Sequence, residues 1–189
     1  MRATPFRPIR PFALKVAAAA GLAVLTSVVA VPVLAQPACE AVFAAADKLN
    51  TVPNHIYETT VAAYTNGKPQ SSEVVAVGGA LYVFTHGKWM KVPMSVDDRR
   101  KQEIENRKNA KNTSCHLVRE EAVNGEAANL YSAHSETEDD KVDSQVWISK
   151  RSGLILKQEL DVDSGGGIGK SHSSVRYEYK NVTAPNLGN

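Results

Sequence analysis

Residues 55–92 read HIYETTVAAYTNGKPQSSEVVAVGGALYVFTHGKWMKV. Three dipeptides punctuate this stretch: Asn66-Gly67, Gly78-Gly79 and His86-Gly87. Asn-Gly is the strongest short hairpin signal, because both residues tolerate the positive φ of the turns that match strand twist. The runs between the dipeptides are rich in Thr, Tyr, Val and Phe, which suit a pleated, half-buried surface. Residues 55–65, 71–77, 80–85 and 88–92 therefore read as four successive strands.

The same pattern resumes downstream. Residues 115–123 run into Asn124-Gly125 and residues 126–135 return. Residues 141–149 pair through Arg151-Ser152-Gly153 with 154–161, and 173–182 form the last strand. About nine strands in succession, joined mostly by hairpin-type turns, predict an antiparallel meander. The strands are apolar on both faces. Val142, Val146 and Ile148 share one face and Trp147 takes the other; Leu81 and Val83 oppose Tyr82 and Phe84; Val175, Tyr177 and Tyr179 oppose Arg176, Glu178 and Lys180. That pattern suits a sheet covered by helices on one side, or a curved sheet that holds a ligand. For any single residue, ordinary core packing or an exposed aromatic is sufficient explanation.

Two segments have helical character. Residues 38–49 are alanine-rich, with Val42, Phe43, Ala46 and Leu49 at helical spacing, and Asn50 and Pro53 stop them. Residues 97–111 form a very polar helix. Ser95 is its cap, Asp98 the capping-box acid, and Asp97–Lys101 and Glu103–Arg107 are i,i+4 pairs. Ile104 is its only large apolar residue, so it is no core element. It reads as a solvated surface helix or as a flap over an opening in the sheet.

The first 35 residues differ in kind. Arg2, Arg7, Arg10 and Lys15 precede an apolar run at 16–31, and Val33-Leu34-Ala35 offers small residues for cleavage before Gln36. These are the parts of a secretory signal peptide. The run is shorter than the roughly 20 residues that span a bilayer. The expected mature chain is then 36–189, one domain, periplasmic and not membrane-spanning. Its charge changes sign: of 22 basic and 20 acidic residues, four basic ones leave with the signal, for a net −2. With no basic stripe, nucleic acid is not an expected partner. Cys39 and Cys115 are the only cysteines. In an oxidising compartment a lone pair is most simply a disulfide. A redox or nucleophilic thiol is the alternative, without Cys-x-x-Cys spacing to support it.

Candidate chemistry is thin. Gly165 to Ser171 resembles a phosphate loop, but Ser164 stands where its first glycine belongs and a strand follows. Glu136, Glu138, Asp139, Asp140 and Asp143 cluster without the spacing of a calcium loop. His55, His86, His116, His134 and His172 show no zinc-binding spacing, and no Gly-x-Ser-x-Gly elbow occurs. No catalytic residue, metal or cofactor is assigned. A secreted enzyme would need these histidines to converge with acids in three dimensions.

Short motifs in the C-terminal third carry a resemblance. Val146-Trp147-Ile148-Ser149, Ser152-Gly153-Leu154 and Lys157-Gln158-Glu159 resemble the strand-turn-strand of LolA-like periplasmic lipoprotein carriers. Tyr177-Glu178-Tyr179-Lys180-Asn181-Val182 is similar to their final strand, and Gly87-Lys88-Trp89 is also similar. The resemblance implies an α+β fold: a curved antiparallel half-barrel with helices on its concave side. It implies a non-enzymatic protein that binds lipid, or the acyl chains of a lipidated partner, against an apolar wall. Candidates for that wall are Phe84, Trp89, Tyr131, Val146, Ile148, Leu156 and Tyr177. The alternative on the same fold is an envelope regulatory module that contacts a protein partner.

Overall fold

The structure is a computed structural model, and it describes residues 37–165 and 169–188. The expected signal peptide and its cut after Ala35 lie outside the described residues, as do residues 166–168 of the Gly165–Ser171 tip. Helix α1 (Pro37–Leu49) is followed by strands β1 (Asn54–Ala62), β2 (Gln70–Val77), β3 (Ala80–Thr85) and β4 (Lys88–Ser95). Helix α2 (Val96–Asn109) then leads to β5 (Lys111–Val123), β6 (Glu126–Glu136), β7 (Asp140–Ser149), β8 (Ile155–Ser164) and β9 (Gly169–Glu178). All nine strands form one antiparallel sheet, in the order β4-β3-β2-β1-β9-β8-β7-β6-β5. The sheet is open, with β4 and β5 at its edges. The α+β half-barrel and its nine-strand meander are therefore as expected. The one non-consecutive pairing, β1 with β9, brings the two halves of the meander together.

Turn chemistry sets the register. Asn124 and Gly125 both have positive φ, 50° and 82°, and they join β5 to β6 tightly. The Asn66-Gly67 turn is looser than a two-residue hairpin. β1 stops at Ala62 and a 3-10 turn, Ala63–Thr65, intervenes. The reason is the Thr65 hydroxyl, which reaches the carbonyls of Ala62 and Lys68, both at 2.8 Å, and holds the chain out of the ladder. The last strand ends at Glu178, four residues before the expected limit.

Cross-strand partners place side chains on faces. The helix-side face carries Tyr131, Val146, Ile148 and Ile155, which pack against Ala45 of α1, with Tyr177 beside them. α1 lies over β5 to β8 on this side. Cys39 of α1 and Cys115 of β5 form the expected disulfide, both buried. Asn54, fully buried, donates from Nδ2 to the carbonyls of Leu49 and Val52, each at 2.9 Å, and fixes the exit from α1. On the opposite face, Trp147 packs with Leu130 and Ala128, and Leu156 joins them. Among the described residues no helix is long and apolar enough to cross a membrane.

α2 starts as expected: the Ser95 hydroxyl accepts from the Asp98 backbone N–H at 3.1 Å and the Asp98 carboxylate bonds back. Its ion pairs differ from those expected on the helix surface. Arg107 reaches across to Asp47 of α1 at 2.7 Å and lies over the Phe43 ring. Asn50, just past α1, accepts from Arg99 Nε at 2.9 Å and donates to Glu103 at 2.7 Å. α2 buries no residue. It is docked on α1 by polar contacts rather than by an apolar stripe, which is why periodicity gave no sign of the docking.

Candidate functional site

The helix-side face divides into two parts. Under α1 it is closed core: Val146 is 2% exposed and Tyr131 9%. Beyond α1, cross-strand pairs run Met90–Val83, Val83–Val74, Val74–Ile56 and Ile56–Tyr177, a continuous apolar row from β4 to β9. Met90 is 41% exposed, and Val83, Val74, Ile56 and Tyr177 are half-buried. Beyond its first residue, Val96, α2 has the half-buried Ile104 as its one large apolar side chain available to cover this row.

Beside the apolar row lies a polar one. Glu58 of β1 pairs with Ser72 of β2 and Val175 of β9. Its carboxylate accepts from the Thr60 hydroxyl at 3.1 Å and the Ser72 hydroxyl at 3.5 Å. Thr60 and Ser173 hydroxyls meet at 2.7 Å, and the Tyr177 hydroxyl donates to Gln158 at 2.9 Å. Burial first, and then the Glu58 charge, push the Tyr177 hydroxyl well above the usual tyrosine range. Burial also lowers the Arg99 guanidinium, whose Nη2 has no partner among the described residues.

The seven candidate wall residues split between the faces. Tyr131, Val146, Ile148 and Tyr177 come together on the helix side. Leu156 packs with Trp147 on the other face, where a register shift between Trp147 and Ile148 interrupts the alternation. Phe84 and Trp89 are cross-strand partners, with rings 5.4 Å apart, on that same outer face. There they join His55 and Tyr57, with Arg176 over the Tyr57 ring at 3.9 Å. Ile56, Val74, Val83 and Met90 escaped sequence reasoning because valine and isoleucine are ordinary in strands. The Leu81/Val83 alternation against Tyr82/Phe84 was the available signal.

Three histidines do converge with acids, on the outer face. His116, His134 and His172 line a cleft of about 510 Å³ together with Asp143, Glu159 and Asp161. His134 Nδ1 lies 2.8 Å from Asp143, and His172 Nδ1 lies 2.9 Å from Asp161. Asp143 and Asp161 are direct cross-strand neighbours. Each carboxylate is thus flanked by an imidazole, which offsets the cost of two like charges side by side. Ser144 in this cleft donates to the Ala133 carbonyl rather than to an imidazole. Among the described residues, no three His, Cys, Asp or Glu side chains stand as a metal-ligand set. His55 pairs instead with Glu73 at 2.8 Å, and His86 sits in the β3–β4 turn.

Part of the acidic cluster lies at the end of β6 itself. The Glu136 carboxyl is held below the usual range by the Asn112 amide and by Lys141. The turn after β6 borders a cleft of about 680 Å³ with Phe43, Arg107 and Lys111.

No family model matches the sequence, and no curated protein is similar to it. Solved structures are similar at low identity. Lipoprotein LppX of Mycobacterium tuberculosis matches with a TM-score of 0.45 and 9% identity, over 79% of this chain and 97% of that one. LprF of Mycobacterium bovis matches with a TM-score of 0.42 and 10% identity, over 81% and 99%. A LolA-superfamily protein of Nitrosomonas europaea matches with a TM-score of 0.25 and 11% identity, over 82% and 96%. The overlap with each is partial, and the sheet order above rests on this chain's own strand pairing.

Proposed function

We propose that this chain is an exported, non-enzymatic binding protein of the bacterial envelope. On this reading residues 1–35 are a cleaved signal peptide and the working protein is periplasmic. Its ligand is a lipid, or the acyl chain of a lipidated partner, held on the helix side of the sheet. The supporting observation is the apolar row Met90–Val83–Val74–Ile56–Tyr177, left partly open beyond α1 beneath a helix with no buried residue. Tyr131, Val146 and Ile148 continue the same face as closed core under α1 and bound the row on that side. An acyl chain laid on this row removes apolar area from water on both partners, worth roughly 25 cal/mol per Å². Phe84, Trp89 and Leu156, on the outer face, take no part in it.

The test is mass spectrometry of lipids extracted from protein purified from its native envelope fraction, beside a Val83→Asp variant. Stoichiometric lipid on the wild type, lost from the variant while its circular dichroism is retained, is the expected result. Wild-type protein free of lipid and unable to take up an acyl probe sinks the reading. A second reading, a module that contacts an envelope protein, is favoured by Leu117 and Val118. They are 55% and 49% exposed on the edge strand β5. Stoichiometric protein without lipid in a pull-down selects it.

A further inference from the structure

From the polar row beside the apolar one we infer that the ligand's head group is a hydrogen-bond donor without negative charge, and that Glu58 is the residue that holds it. This rests on the acyl-binding reading above and specifies its ligand. Glu58 is half-buried on the helix side of the sheet, one row from Ile56 and Val74. It is in no ion pair among the described residues, and only two hydroxyls donate to it, one of them at 3.5 Å. Of the cations nearest this side, Arg107 is paired with Asp47, and Arg99 is tied through Nε to Asn50 and Glu103, with only its Nη2 left unpartnered among the described residues; no structural ion pair joins either to Glu58. A carboxylate has about four lone-pair positions, so Glu58 retains capacity for further donors. A half-buried carboxylate with neither a counter-charge nor a full set of donors is costly, and an ammonium or a hydroxylated head group relieves that cost. An anionic head group meets repulsion at the same point. Thr60, Ser72 and Ser173 extend the polar surface around it, while the chain of the ligand continues over Ile56, Val74 and Val83. Apolar and polar rows side by side on one face match an amphiphile, not a plain hydrocarbon.

Three probes with the same twelve-carbon chain separate the cases: dodecylamine, monolauroylglycerol and laurate, each titrated into delipidated protein by isothermal titration calorimetry. Wild-type protein is expected to bind the amine at least about tenfold more tightly than laurate, with the glycerol ester between them. Glu58→Gln is expected to bring all three within about threefold while keeping the ester affinity, whereas Glu138→Gln in the exposed acidic turn keeps the preference. Equal binding of amine and laurate by the wild type overturns the inference and leaves the acyl-binding reading standing. So does a preference that survives Glu58→Gln. Failure to bind any of the three overturns both.

Discussion

Replacing Cys39 and Cys115 together by alanine tests how α1 is held on the sheet. The bond links residues 76 apart in sequence. In the chain-entropy account, a closed loop of that length destabilises the unfolded state by about 4.5 kcal/mol at 25 °C. Domains of this size are stable by roughly 5–15 kcal/mol, so the loss is a large share of the total. Packing does little to offset it. α1 buries only Cys39, Ala45 and Leu49 fully, and alanine removes little apolar surface from water. Ala38, Ala41, Val42 and Ala46 add only partly buried, mostly small contacts, and the remaining ties are polar: Asn54 at its end and Arg107 on Asp47. The double variant is therefore expected to unfold in urea with about 4 kcal/mol less stability and a steeper slope, since the uncrosslinked chain exposes more surface. Amide exchange should accelerate in α1 before it does in β6 to β8. Reduced wild-type protein should behave like the variant. A loss below about 1 kcal/mol would refute the reasoning, because it would mean that the unfolded chain already keeps α1 near β5 without the bond.

Two further outcomes follow from local geometry. Gly125→Ala adds a Cβ that meets nothing within 4 Å, but φ is +82° there; stability should fall by about 1 kcal/mol or more in thermal melts, and a neutral result would show that the turn can re-form. The Asp47 carboxyl is held below its ordinary value by the Arg107 hydrogen bond. A lowered folded-state value contributes stability above the unfolded value and loses it as pH falls through the folded one. Asp47→Asn should therefore cost under about 1 kcal/mol at pH 7, since the pair is partly exposed, and should flatten the loss of stability below about pH 4. An unchanged acid limb in the melting curve would count against this.

What the sequence made legible was local. Asn66-Gly67, Gly78-Gly79, His86-Gly87 and Asn124-Gly125 each sit at positive φ between paired strands, so the meander followed from turn chemistry alone. The Ser95–Asp98 capping box is likewise a four-residue signal and is formed. Cysteine count together with the expected compartment pointed to the one bridge. Hidden features depend on pairing between distant segments. That β1 meets β9 decides which residues of the first four strands share a face with Tyr177, and no local pattern encodes it. A one-residue irregularity near Ile155 sends Leu156 to the outer face, and Phe84 and Trp89 follow the parity of β3, against the expectation that all seven apolar candidates share a wall. The docking of α2 through Arg99 and Arg107 was hidden because charged residues on a helix read as solvated.

The two faces can now be weighed as places for function. The outer face holds the histidines, the carboxylates and most of the aromatics, and it looks the richer in chemistry. Its groups, however, are largely committed to one another: His134 to Asp143, His172 to Asp161, His55 to Glu73, Arg176 to Glu178, and the Trp147 indole N–H to Glu121. Such cross-strand pairs pin register and keep a solvent-facing sheet surface soluble, and they leave few donors or acceptors for a substrate. The helix side has the opposite character. Among the described residues it holds a carboxylate without a cation, an apolar row without a lid of matching polarity, and an arginine nitrogen without a partner. Groups left incomplete in the free protein are the ones a ligand can complete, because satisfying them costs the protein nothing that it already has. On that ground the poorer-looking face is the better binding surface.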